Sequence, residues 1–165
     1  MSEHLSHNNV FLEFQSPEDM EPADQELLIA ARNAMKLAYS PYSHFLVGAA
    51  VRVEDGSIIP GANQENASYG LVICAERSTL FTANNLGYGD KVKAIAIMAK
   101  GEDFETDKPV APCGACRQVL KEFQDRAGQP IKIIFSGSTG PIHKYESIDE
   151  LLPASFGPRD LNIQI

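Results

Sequence analysis

Cys74, Glu76 and Arg77 fall within four residues of one another in the stretch ICAERSTLF, and Cys113 and Cys116 follow in APCGACRQVL. These are the chain's three cysteines, so they cannot all pair as disulfides. In a reducing compartment a C-x-x-C reads first as metal ligation or redox chemistry. Cys113 and Cys116 are three apart at the start of an expected helix, with Pro112 suited to its first position. Both sulfurs can then point at one centre just beyond the helix end. Cys74 also opens an expected helix, and two helix N-termini facing one point favour thiolates there. Three thiolates around one zinc leave a fourth tetrahedral position, which a catalytic site keeps open and a structural site closes. Such a zinc carries a net formal charge of minus one, which opposes ionising a water at that position. Arg77, one turn from Cys74 on the same helix face, is placed to withdraw charge from the thiolates. Glu76 can then move protons between water and substrate.

Other readings of these residues exist. A redox dithiol would use Cys113 and Cys116 but leave Cys74 and Glu76 without a task. A closed structural zinc would need a fourth ligand, which His44 or His143 could supply. Glu76 alone reads as a solvated acid in a first helical turn. The combination C-A-E with P-C-x-x-C is far more specific than its parts, and it matches the signature of zinc nucleobase deaminases.

The elements that must position these residues can be read from hydrophobic period and turn signals. Residues 1 to 21 lack a clear period and read as an extension, flexible or strapped onto the rest; residues 22 to 165 read as a single domain. Leu27, Ala30, Ala31, Ala34, Met35 and Ala38 repeat at helical spacing until SPY. FLVGAAVRV, EDGS and IIPGANQE predict a hairpin with Asp55 and Gly56 at its tip. CAERSTLFTANN predicts a second helix stopped near Gly87. CGACRQVLKEFQDRA predicts a third, with Ala115, Val119, Phe123 and Ala127 on one stripe and Gly128 beyond its end. VKAIAIMA and IKIIF read as buried strands. A short strand near His143 to Tyr145, a helical turn at SIDELLP and a last strand at LNIQI complete the set. The alternation predicts an α/β fold, a three-layer α/β/α sandwich around a mixed sheet of about five strands.

Composition narrows the function classes. A chain of 165 residues fits one domain with a sizeable core. No apolar run is long enough to cross a bilayer, and MSEHLSHNNVFLEF does not read as a secretory signal, so a cytoplasmic protein is expected. The net charge of -8 serves solubility and counts against a nucleic-acid partner, which needs clustered Lys and Arg.

From about residue 24 onward the sequence closely resembles the cytidine deaminases, the small homotetrameric type. The motifs stand as AYSPYSHFLVGAA, GANQENASYGLVICAER, APCGACRQVL and ELLPASFGPRDL, in the family's order. The resemblance implies one zinc per subunit and hydrolysis of cytidine and deoxycytidine to the uracil nucleosides. It implies a homotetramer with sites shared between subunits, and a place in pyrimidine salvage. By position, Cys74, Cys113 and Cys116 match the zinc ligands, and Glu76 the proton shuttle. Asn63 and Glu65 match the pair holding the ribose hydroxyls; at i and i+2 of an extended segment they face one way. Without the resemblance they would read as a polar hairpin edge. Phe45 matches an aromatic packed on the nucleoside, the Ala75 N–H a contact to the base carbonyl, and Tyr69 a tyrosine at the subunit contact. Phe156 resembles an aromatic that reaches a neighbouring subunit's site.

The sequence departs from the family at Gly70, Leu71 and Val72, where proline, leucine and glycine are usual. That bears on the loop under the base, not on the chemistry. A deaminase of blasticidin-type nucleosides shares the zinc motifs, but Asn63, Glu65 and Phe156 favour a plain nucleoside. A polynucleotide-editing deaminase would want a basic channel with stacking aromatics, and this chain is acidic and has no Trp.

Overall fold

In the computed structural model, residues 11 to 164 are described. Six strands form one sheet: β1 (Leu12–Phe14), β2 (Phe45–Val53), β3 (Ile58–Ala62), β4 (Val92–Gly101), β5 (Lys132–Ser136) and β6 (Ile142–Tyr145). Three α-helices accompany them: α1 (Pro22–Ala34), α2 (Ala75–Asn85) and α3 (Gly114–Ala127). The sheet order is β1-β6-β5-β4-β2-β3. Only β4 and β5 run parallel, joined by the crossover that contains α3; the other neighbours are antiparallel.

Strand alternation builds the two cores. Ala49, Val51, Val53, Ile95, Ile97, Ile133 and Phe135 meet Leu80, Ala83, Leu120 and Phe123 of α2 and α3 on one face. Ala50, Ala94, Ala96, Met98 and Ile134 meet Leu27, Leu28 and Ala31 of α1 on the other. This period-2 division makes the three layers. The sheet has six strands rather than about five. The sixth, β1, lies in the segment read as an extension and hydrogen-bonds to β6 at the sheet edge. Residues 1 to 10 lie outside the described part.

Two other expectations need correction. The closing segment LNIQI is not a strand among the described residues. Pro158–Leu161 forms a 3-10 turn ended by Asn162 in a left-handed conformation, which interrupts extension. In α3 the buried residues are Cys116, Leu120, Phe123 and Gln124, while Ala115 is exposed. The stripe is rotated by about one residue because Cys116 and Leu120 are both drawn inward.

Close backbone approach fixes the helices that matter for the site. A Cβ on Gly61 of β3 would lie 2.8 Å from Thr79 of α2. Glycine therefore lets α2 settle onto the strand, where Thr79 Oγ1 donates to the Ile59 carbonyl at 2.7 Å. On the other face, a Cβ on Gly48 would meet the Ala31 carbonyl at 2.1 Å.

Candidate active site

Cys74 and Cys113 are the N-cap residues of α2 and α3, and neither helix has a side-chain hydrogen bond at its cap. The position ordinarily favours Ser, Thr, Asp or Asn, which satisfy free helical N–H groups. Here both caps carry thiols instead, with extended backbones that turn the sulfurs out beyond the helix ends. Pro112 precedes the cap rather than occupying the first helical position. Cys116 sits in the first turn of α3 and is buried.

The three sulfurs converge. Cys74 Sγ lies 4.0 Å from Cys113 Sγ, and Cys113 Sγ lies 3.5 Å from Cys116 Sγ. All three fall within 4.8 Å of one another. Tetrahedral zinc with Zn–S bonds of about 2.3 Å places its sulfurs about 3.8 Å apart, so the separations fit that ion. They are too long for a disulfide, and all three cysteines are free. Neither histidine considered as a fourth ligand joins the cluster. His44 Nδ1 faces Glu102 Oε2 at 3.0 Å, and His143 Nε2 faces Glu13 Oε2 at 3.0 Å. Among the described residues the donor set is three thiolates, which leaves one tetrahedral position without a protein ligand.

The local field is arranged for thiolates. A hydrogen bond from the Cys116 thiol, helped by the Arg77 guanidinium and opposed by burial, holds Cys74 down to about 5. Arg77 Nη2 reaches Cys74 Sγ at 3.6 Å and the Val72 carbonyl at 3.5 Å. Cys116 is pushed up, first by its bond to the Cys74 sulfur and then by burial. Glu76 is 4% exposed in the first turn of α2. Burial raises its carboxyl above the usual range, and the adjacent Cys74 charge adds to this. A carboxyl whose pKa is raised by burial beside a thiol cluster suits proton transfer in both directions.

The second half of the site lies one ladder step away. Gln64 exchanges two backbone hydrogen bonds of 3.0 Å with Ile73, which places the Asn63–Glu65 segment beside the approach to Cys74. Asn63 is buried; its Oδ1 accepts from Val47 N at 2.9 Å and its Nδ2 donates to the Phe45 carbonyl at 2.9 Å. Glu65 Oε2 accepts from Tyr42 N at 3.0 Å and Ser43 N at 3.2 Å, while Oε1 accepts from Ser43 Oγ. Asn63 is thus bound to the start of β2, which Phe45 opens, and Glu65 to the loop just before it. Ala75 is buried at the first position of α2.

Tyr69 and Phe156 are both exposed, at 72% and 58%. Tyr69 packs edge-on against Tyr42, with ring centroids 5.6 Å apart. The Phe156 carbonyl accepts from Gln118 Nε2 of α3 at 2.9 Å. Gly70 has ordinary backbone and open space around its Cβ position, so neither conformation nor crowding demands glycine there.

Two contributors had not been singled out. Ser43 binds Glu65. Arg117 donates to the Pro112 carbonyl at 2.8 Å and the Leu151 carbonyl at 3.0 Å, tying the Cys113 cap to the segment that leads to Phe156. Their types carry no signal in a single sequence; only the fold brings their partners to them.

Comparison with known proteins agrees with this geometry. Residues 21–128 match the cytidine and deoxycytidylate deaminase zinc-binding region. The chain is 46% identical over 140 residues to a cytidine deaminase of Halalkalibacterium halodurans, covering 84% of this chain and 98% of the relative. A cytidine deaminase of Mycobacterium tuberculosis is 37% identical over 131 residues, covering 79% of this chain and 87% of the relative. Among solved structures, a cytidine deaminase from Burkholderia pseudomallei superposes with a TM-score of 0.72 at 41% identity, over 83% of this chain and all of that one. With its donor set, its buried acid and these relatives, the chain belongs to the zinc-binding cytidine and deoxycytidylate deaminase family.

Proposed function

We propose that this protein hydrolyses cytidine and 2'-deoxycytidine to uridine and 2'-deoxyuridine, releasing ammonia, as a step of pyrimidine salvage. The observation that carries the reading is the convergence of three thiols with one buried carboxyl at two helix starts. Cys74, Cys113 and Cys116 would hold a zinc ion, which when bound would supply the Lewis acidity that makes a water nucleophilic at neutral pH. Glu76 accepts a proton from the attacking water and gives it to N3 of the cytosine ring as the water oxygen bonds to C4. It then carries the remaining hydroxyl proton to the 4-amino group, the C4–N bond breaks, and one water is consumed for each ammonia released. Arg77 draws charge from the Cys74 sulfur. The Ala75 N–H receives the base carbonyl, Phe45 packs on the nucleoside, and Asn63 and Glu65 take the ribose hydroxyls.

The assembly is a homotetramer. The exposed Tyr69 and Phe156 are the surfaces on which neighbouring subunits complete one another's sites, supported by the exposure of these two aromatic residues, 72% and 58%. No helix among the described residues is long and apolar enough to cross a membrane. A cytoplasmic setting is consistent with three free cysteines.

The test follows ultraviolet absorbance of zinc-loaded protein mixed separately with cytidine, deoxycytidine, cytosine and cytidine monophosphate. Loss of the cytosine signal with both nucleosides, and little with base or nucleotide, supports the reading. No change with any of them rejects it, and turnover of blasticidin-type compounds would then redirect it.

A further inference from the structure

The loop Tyr42–Phe45 is held around a single hydroxyl. Ser43 Oγ donates to Glu65 Oε1 and accepts from Phe45 N at 3.1 Å. The same carboxylate takes the Tyr42 and Ser43 N–H groups on Oε2. Three of its four acceptor positions are thereby used from one side, which leaves one for a substrate. The next residue, His44, is one of three non-glycine residues with positive φ among the described residues, at 54°. That uncommon conformation is kept by the His44 N–H bond to the Ser40 carbonyl at 3.0 Å. It is kept as well by the Glu102 N–H bond to the His44 carbonyl at 2.9 Å and by the His44–Glu102 side-chain pair. The loop is thus tied down at both ends, and its polar centre is the Ser43 hydroxyl.

We infer that Ser43 is a positioning residue for sugar recognition, aiming the Glu65 carboxylate at the ribose hydroxyls and registering it with the Phe45 backbone. The inference rests on the reading of Glu65 as a ribose contact. The carboxylate is only partly buried and would otherwise sample several rotamers; the Ser43 and Tyr42 bonds remove that freedom before substrate arrives. With the ribose seated, Glu65 accepts from Ser43 on one side and from a sugar hydroxyl on the other. Selectivity for sugar hydroxyls then comes from a carboxylate that is already oriented and left with an unfilled position.

The experiment compares kcat/KM for cytidine and 2',3'-dideoxycytidine in the zinc-loaded wild type, Ser43→Ala, Ser43→Thr and Glu65→Gln. Ser43→Ala should lower the preference for cytidine about ten-fold, the size of one charge-assisted hydrogen bond, with the loss mainly in KM. Ser43→Thr keeps the hydroxyl and should restore most of the preference. Ser43→Ala and Glu65→Gln combined should cost less than the sum of the two. Calorimetry with uridine and 2',3'-dideoxyuridine gives the same comparison without turnover. An equal loss on both nucleosides, or an unchanged preference, overturns the inference. A wild type that turns over neither nucleoside rejects the parent reading instead, and uridine binding then still decides the role of Ser43.

Discussion

Arg77 Nη2 lies 3.6 Å from Cys74 Sγ, one helical turn along the start of α2. The guanidinium and the cap thiol therefore form one unit at the helix end, where free N–H groups already favour negative charge. In metal-free protein the Cys74 thiolate should appear with a midpoint near 5, followed by its ultraviolet absorbance. In Arg77→Gln the midpoint should rise but remain below that of an ordinary thiol, because the Cys116 bond, the larger cause, persists. An unshifted midpoint would remove Arg77 from the electrostatics of the site.

Glu76→Gln should retain zinc and lose turnover by at least 10²-fold to 10⁴-fold, the usual contribution of a positioned acid–base group. Metal content by atomic absorption and single-turnover kinetics separate the two effects. Substantial residual turnover would transfer the proton role to another group.

The same carboxyl should write a pH dependence into the stability of the metal-free protein. Its folded pKa is raised by burial, so the native state binds more protons than the unfolded chain between the two values. Below the unfolded value of about 4.3 the carboxyl is neutral in both states and has no effect. Above the folded value the native state must hold a buried charge, which costs stability. Glu76→Gln should therefore be more stable than wild type at alkaline pH; that gain should shrink as the pH falls below the folded value and vanish below the unfolded one. Urea melts at several pH values would show it, and a pH-independent difference would contradict it.

Removing the metal should lower the melting temperature, since zinc binds the folded cluster and not the open chain. Cys116→Ser should abolish that chelator-sensitive increment. Loading zinc should also release a proton from Cys116, whose thiol is held protonated by its bond to Cys74 and by burial. Calorimetry in buffers of different ionisation enthalpy reads the proton count directly.

On the far face of the sheet, Lys144 Nζ of β6 pairs with Asp24 Oδ2 of α1 at 2.7 Å, with both side chains almost wholly buried. Burial pulls the Lys144 ammonium down, but the hydrogen bond and charge of Asp24, with the charges of Glu146 and Glu21, together outweigh it and the net shift is upward. The pair's contribution is then full below the unfolded lysine value of about 10.4, and it is lost as the pH rises through the folded one. Lys144→Met should cost about 3–5 kcal/mol by leaving a buried carboxylate alone. Adding Asp24→Leu should recover most of this, as denaturant melts of the single and double variants would show.

The sequence by itself determined the chemistry of the centre. Three cysteines and one glutamate in C-A-E and P-C-x-x-C spacing limit the donor set, because helix periodicity brings residues three apart to one side of a helix start. It also determined the two-sided sheet, since the apolar runs VKAIAIMA and IKIIF can be buried only with cover on both faces. Leu12–Phe14 was not legible as a strand: its pairing with β6 is set by a partner 130 residues away, not by its own pattern. LNIQI alternates as a strand should, yet Asn162 turns left-handed and ends the segment. Only the tertiary structure decided that the two cap thiols meet, that Glu76 is buried enough for its pKa to rise, and that the Ser43 hydroxyl meets Glu65. Each depends on a long-range approach, of α2 onto β3 at Gly61 or of the 42–45 loop onto the strand extension after β3. Side-chain type and spacing state what a residue can do; desolvation and the direction of its hydrogen bonds, which fix what it does, arise only when distant elements pack.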